Sequence, residues 1–121
     1  MDCLFCKIIN NEIASYILYE DDLIKVILDA YPENNGHTLI LPKKHYQTFE
    51  DLDNNIREHI FLKSIEIKNL LMTKLNAKGI TLLCNYGESQ VIKHFHLHLI
   101  PNFGKKEEIK KVEDIYSILS Q

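Results

Sequence analysis

The chain has 121 residues, 26% of them charged and 45% apolar, with a formal net charge of −3. That length suits a single domain, residues 1–121, whose one core needs no cross-links, and the mild acidity argues against nucleic acid as the main partner. No apolar run approaches the ~20 residues of a membrane span and no basic segment leads into an apolar one, so a cytoplasmic protein with no membrane partner is expected.

The opening stretch, Cys3 to Ile9, reads as a short helical turn that docks Leu4, Phe5, Ile8 and Ile9 and ends at Asn10-Asn11. Cys3 and Cys6 have the spacing of a zinc knuckle. One such pair supplies only half of a tetrahedral set, so spacing alone leaves a metal site and reduced surface thiols both open. With Cys84 the cysteines number three, which disfavours a disulfide framework; Cys84 sits in an apolar run and reads as a small buried hydrophobe.

Ser15–Tyr19 and Ile24–Leu28 read as two strands of an antiparallel hairpin joined by Glu20-Asp21-Asp22. Asp29 follows the second strand, either as a turn-former or as an acceptor for a ligand at the sheet edge. Tyr31 to Gly36 is a loop by composition, His37 to Pro42 a third strand, and Lys43-Lys44-His45 a basic exit. From Leu52 to Asn76 apolar residues such as Ile56, Ile60, Leu71 and Leu75 recur at helical spacing, with Gly79 placed to take a left-handed stop. Ile80 to Cys84 is a fourth strand and Asn85 to Gln90 a polar loop. Residues 105–121 read as a charged, amphipathic C-terminal tail, either a surface helix or a dimer-contacting extension. The pattern predicts an α+β fold: an antiparallel sheet of about five strands, one long helix over one face and a short N-terminal helical turn.

In the run His94-Phe95-His96-Leu97-His98-Leu99-Ile100, histidine alternates with large apolar residues. A period of two predicts a strand with Phe95, Leu97 and Leu99 in a core and three imidazoles on the other face, spaced about 6.6 Å apart. Imidazole changes charge near neutrality, so the row points to nucleophilic or acid–base chemistry, or to metal binding with His94, His96 and His98 as ligands of a metal-dependent hydrolase. His59 alone reads as a hydrogen-bonded structural residue.

The motif resembles the signature of the histidine-triad (HIT) nucleotide hydrolases and transferases. Cys3 to Ile9, Leu28-Asp29 with Pro32, and Gly36 to His45 are similar to other blocks of that family, so the resemblance covers nearly the whole chain. It implies a HIT-like fold and hydrolysis at the α-phosphate of adenosine phosphoramidates or related nucleotidyl conjugates. His96 would be the nucleophile that carries a covalent nucleotidyl group. His98 and Gln90, with the Gly87 loop, would supply donors to the phosphate oxygens, and His37 would stand behind the triad. Asn85 matches a position near the phosphate, Asp29 the acid that takes the ribose hydroxyls, and Phe5, Ile8 and Ile27 an apolar slot for the base of a purine, AMP-type nucleotide. The family's transferases usually carry glutamine at the last histidine; His98 is intact here, which favours a hydrolase. The loop from Asn85 to Gln90 is shorter than the common form, and no tryptophan-containing tail is present. Alternatives are a dinucleoside polyphosphate hydrolase of the same family and a nucleotide-binding regulatory protein with little turnover. The resemblance further implies a homodimer built around the helix and fourth strand, no cofactor for catalysis, and a structural zinc on Cys3, Cys6, His45 and His94.

Overall fold

Ile24–Leu28 and Thr38–Pro42 are buried at every position, as strands in the middle of a sheet covered on both faces must be. The computed structural model describes residues 3–121, so Met1 and Asp2 lie outside the described residues. Its strands are β1 (Ile17–Glu20), β2 (Ile24–Leu28), β3 (Thr38–Pro42), β4 (Gly79–Leu83) and β5 (Leu97–Asn102). They form one antiparallel sheet in the order β1-β2-β3-β5-β4. The expected α+β architecture, with its five strands, long helix and short N-terminal helix, is the one observed.

Alternate side chains sort to two layers. Ile24, Val26, Leu28, Ile40, Leu97 and Leu99 face the long helix α2 (Asn54–Leu75), which contributes Ile56, Ile60, Ile67 and Leu71 at spacings of four, seven and four residues. Ile27, Leu39 and Leu41 face the other way and are covered by the six-residue helix α1 (Leu4–Ile9) through Phe5 and Ile8. The C-terminal end of α1 is fixed by Lys25, a fully buried residue of β2. Its ammonium donates to the Ile8 carbonyl (2.9 Å) and to Asn11 Oδ1 (2.8 Å), as a cation at a helix C-terminus favours. A last helix, α3 (Val112–Leu119), buries Ile115 and Leu119 against the α2 layer. His59 is the structural residue expected, paired with Asp21 at 2.6 Å.

Three expectations are corrected. The strand begins at Leu97, so only His98 of the three histidines lies on it; His94 and His96 sit in the bend before it. Pairing with β3 ends at Ile40↔Leu97, and the carbonyls of Pro42 and His94 are taken by imidazole nitrogens instead of a ladder. Cys84 is exposed, because it follows β4 at the outer edge of the sheet. The left-handed stop of α2 is Asn76 (φ 58°), three residues before the glycine expected to take it, and Gly79 opens β4 instead. Among the described residues no helix is long and apolar enough to cross a membrane.

Candidate active site

The face of the sheet under α1 carries a cavity of about 1050 Å³, walled by Phe5, Ile8 and Ile27 on one side and by Asp29, Asn85, His96 and His98 on another. The register explains the convergence. Ile27 and Asp29 lie two residues apart on β2 and just beyond it, His98 pairs with Leu39, and Phe5 sets its ring edge-on against His96 with centroids 4.8 Å apart. His96 and His98 stand with ring centroids 4.7 Å apart and tilted at 62°, closer than the backbone repeat of a strand, with His96 lying just before β5 and His98 on it. Among the described residues the lining holds one carboxylate, Asp29, and no lysine or arginine.

Proton positions follow from partners whose roles are fixed, since a backbone carbonyl only accepts and a backbone N–H only donates. His96 Nδ1 lies 2.8 Å from the His94 carbonyl, so it carries the proton and the neutral ring keeps its lone pair on Nε2. His37 Nδ1 lies 3.0 Å from the Glu33 amide, so it accepts and the His37 proton is on Nε2. That Nε2–H faces His98 Nδ1 at 2.9 Å and Asp29 Oδ2 at 3.5 Å; the shorter contact makes His98 Nδ1 an acceptor. The His98 proton is then on Nε2, which is buried and has no partner among the described residues. A buried donor left unpaired is costly, and a ligand group that accepts from it would remove the cost. Burial keeps all three rings neutral: it lowers His37 and His96 from the ordinary histidine range and takes His98 to about 4, with neighbouring His96 and His37 adding to the effect on His98.

The same accounting separates two clusters of metal-binding type. Cys3, Cys6, His45 and His94 bring four ligand atoms within 4.8 Å of one another. His94 Nε2 donates to the Pro42 carbonyl (2.9 Å), which leaves Nδ1 as a lone pair 3.5 Å from Cys3 Sγ, 3.6 Å from Cys6 Sγ and 3.1 Å from His45 Nδ1. A zinc tetrahedron with Zn–S of about 2.3 Å and Zn–N of about 2.0–2.1 Å has S···N edges of about 3.5 Å and N···N edges of about 3.3 Å, so the residues fit the metal. Burial and then the adjacent Cys3 push the Cys6 thiol up to about 11, so two thiolates there call for a cation. Asp29, His37 and His98 also cluster within 4.8 Å, but they do not fit. His37 Nδ1 already accepts from Glu33, and a metal on Nε2 would require the imidazolate. Nor do His94, His96 and His98 converge as a ligand set. The free nitrogen of His94 faces the cysteines, whereas His96 and His98 border the cavity.

Two residues expected to contact phosphate are elsewhere. Gln90 is buried, gives its amide to the Gln47 carbonyl and does not line the cavity; Ser89 and Val91 form the wall on either side of it. Gly87, at φ +76°, opens a short turn, and its carbonyl accepts from Lys93 Nζ and Gln90 N. Sequence reasoning missed Val112 of α3, Tyr16, Ser15 and Tyr31, all of which line the cavity.

The HIT domain model matches residues 10–105. The adenylylsulfatase HINT3 of Arabidopsis thaliana is 41% identical over 102 residues, covering 83% of this chain and 52% of that protein. A hypothetical histidine triad nucleotide-binding protein of Sulfolobus tokodaii superposes with a TM-score of 0.89 at 32% identity, covering 97% of this chain and 89% of its own. A Zn-bound histidine triad family protein of Mycobacterium smegmatis gives 0.88 at 28% identity, covering 98% and 91%. On the domain match, and with the histidine run seated where the cavity lies, the chain belongs to the histidine triad (HIT) family.

Proposed function

We propose that the protein hydrolyses nucleoside phosphoramidates or related nucleotidyl conjugates of the AMP type, with the nucleotidyl group carried on His96. The observation that supports this most is the proton on His96 Nδ1, held by the His94 carbonyl, which leaves Nε2 as a nucleophile beside an orphaned His98 donor. The base enters between Phe5, Ile8 and Ile27, Asp29 accepts from the ribose hydroxyls, and Asn85 borders the phosphate. The His96 Nε2 lone pair forms a bond to the α-phosphorus. The P–N bond breaks, its electron pair goes to the amine, and the amine takes a proton from water. The hydroxide left by that proton transfer then attacks phosphorus and the bond to His96 breaks, returning neutral imidazole and a nucleoside monophosphate. His98 Nε2–H stabilises the phosphoryl oxygen in both steps, and His37 acts by keeping that proton on Nε2.

Charge argues for the leaving group. With no lysine or arginine in the lining among the described residues, one phosphate charge is tolerated next to Asp29, and a polyphosphate bridge finds no side-chain cation there to neutralise it. The name of the Arabidopsis relative, an adenylylsulfatase, supports a nucleotidyl substrate. Side-by-side kinetics with adenosine 5′-phosphoramidate, adenylyl sulfate and a diadenosine polyphosphate test the reading. The expected result is the highest kcat/KM for the phosphoramidate; equal or faster cleavage of the polyphosphate contradicts it.

A structural zinc on Cys3, Cys6, His45 and His94 and a homodimer complete the proposal. Zinc would tie α1, and with it Phe5, to β3 and to the bend before β5, and takes no part in the chemistry. The dimer is supported by an apolar face with Phe61 61% and Leu62 52% exposed, together with Ile65 and with Leu82 and Leu83 of β4, whose outer edge carries no further strand in the sheet.

A further inference from the structure

Two buried polar side-chain atoms are without a partner among the described residues: His98 Nε2, used above, and Ser15 Oγ. Ser15 lines the nucleotide cavity. Its position follows from the hairpin. Ile17 pairs with Ile27, and the Leu28 amide donates to the Tyr16 carbonyl at 3.0 Å, so the same register carried one residue further sets Ser15 across from Asp29. Alternation puts both on the face of Ile17 and Ile27, the face turned to the cavity.

We propose that Ser15 is a specificity-determining residue for the sugar, acting with Asp29 on one ribose hydroxyl. This rests on the nucleotide reading above, in which Asp29 meets the ribose. Asp29 Oδ1 is occupied by the Tyr31 amide at 2.9 Å, which leaves Oδ2 to the ligand. A carboxylate only accepts, so it satisfies the hydrogen of a sugar hydroxyl and leaves the oxygen lone pairs unpaired. A serine hydroxyl supplies the missing donor from the opposite strand. The pair therefore recognises a hydroxyl as both donor and acceptor, which neither a hydrogen nor an ether at that carbon reproduces, and the unpartnered Oγ of the free protein finds its partner in the bound sugar. The ligand class is a ribonucleotide rather than a deoxyribonucleotide.

The test is a binding cycle on the full chain with AMP, 2′-deoxy-AMP and 3′-deoxy-AMP, using the parent, Ser15→Ala and Ser15→Thr, with thermal melts alongside. The expected result is that Ser15→Ala weakens AMP by about three- to tenfold, leaves one of the two deoxy nucleotides unchanged, and is restored by Ser15→Thr. Its Tm is equal to or above the parent's, because an unpaired buried hydroxyl has been removed. A variant that binds all three nucleotides as the parent does, or weakens all three equally, overturns the role of Ser15. Failure of the parent to bind AMP at all overturns the nucleotide reading instead.

Discussion

Replacing His98 by alanine removes the buried donor that the protein leaves free beside the nucleophile. The magnitude follows from the proton accounting: the Glu33 amide fixes His37, His37 fixes His98, and His98 Nε2–H is left for the phosphoryl oxygen. Loss of one such preorganised donor lowers kcat by about 10²–10³, or about 2.7–4 kcal/mol of transition-state stabilisation. His98→Gln keeps an N–H near the same place and recovers part of that loss. His37→Leu leaves the ring of His98 but not its tautomer, and the expected loss is about 10–100-fold, typical of a residue that orients a functional imidazole. Single-turnover measurements with adenosine 5′-phosphoramidate read the step directly, and AMP affinity serves as the control, expected to change by less than about threefold because base and ribose contacts lie elsewhere. A His98→Ala rate within about threefold of the parent, or a His37→Leu loss larger than that of His98→Ala, would refute the tautomer chain.

Elemental analysis of protein purified without chelator is expected to find about one zinc per chain, absent from Cys3→Ser/Cys6→Ser, with a lower Tm in that variant; less than about a tenth of an equivalent in the parent removes the site. Light scattering at micromolar concentration is expected to give twice the 14.2 kDa chain mass and Phe61→Glu to lower it towards the monomer; a monomeric parent contradicts the proposed interface. Stability should fall with acidification. An unfolded histidine binds its proton near about 6.5, while folded His98 refuses it down to about 4, so between those values the unfolded chain holds more protons and stability rises with pH. Melting temperatures should therefore drop from pH 6.5 towards 4, with a shallower slope in His98→Gln; a flat profile in the parent refutes the buried neutral ring.

The two layers of the sheet were legible because they rest on period and burial alone. Ile24–Leu28 and Thr38–Pro42 are central strands, and Phe95, Leu97 and Leu99 do share one core. The bend at His94 and His96 was not legible: a ring nitrogen closing on the carbonyl two residues back leaves the apolar alternation intact while ending the strand. The inward turn of Gln90 and the exposure of Cys84 were hidden for a related reason. Whether a polar side chain turns inward to the Gln47 carbonyl, or an apolar strand lies at a sheet edge, depends on contacts across more than forty residues or on strand order, neither of which leaves a local trace. Ser15 was only partly within reach. Its residue type and place in the first strand can be read, but the register at the turn, Glu20↔Lys25, would set it opposite Ala30, and only the bulge between Ile17 and Tyr19 moves it to Asp29.

The covalent step on His96 is the central claim, and intact-protein and peptide mass spectrometry of acid-free quenched turnover tests it most directly. With adenosine 5′-phosphoramidate in excess, the expected result is one adenylyl group on the peptide containing His96, formed in the first turnover, decaying as substrate is exhausted, and absent in His96→Ala, which is also inactive. Continued turnover with no adduct on His96 at any time point, or a His96→Ala rate within about tenfold of the parent, would contradict the account.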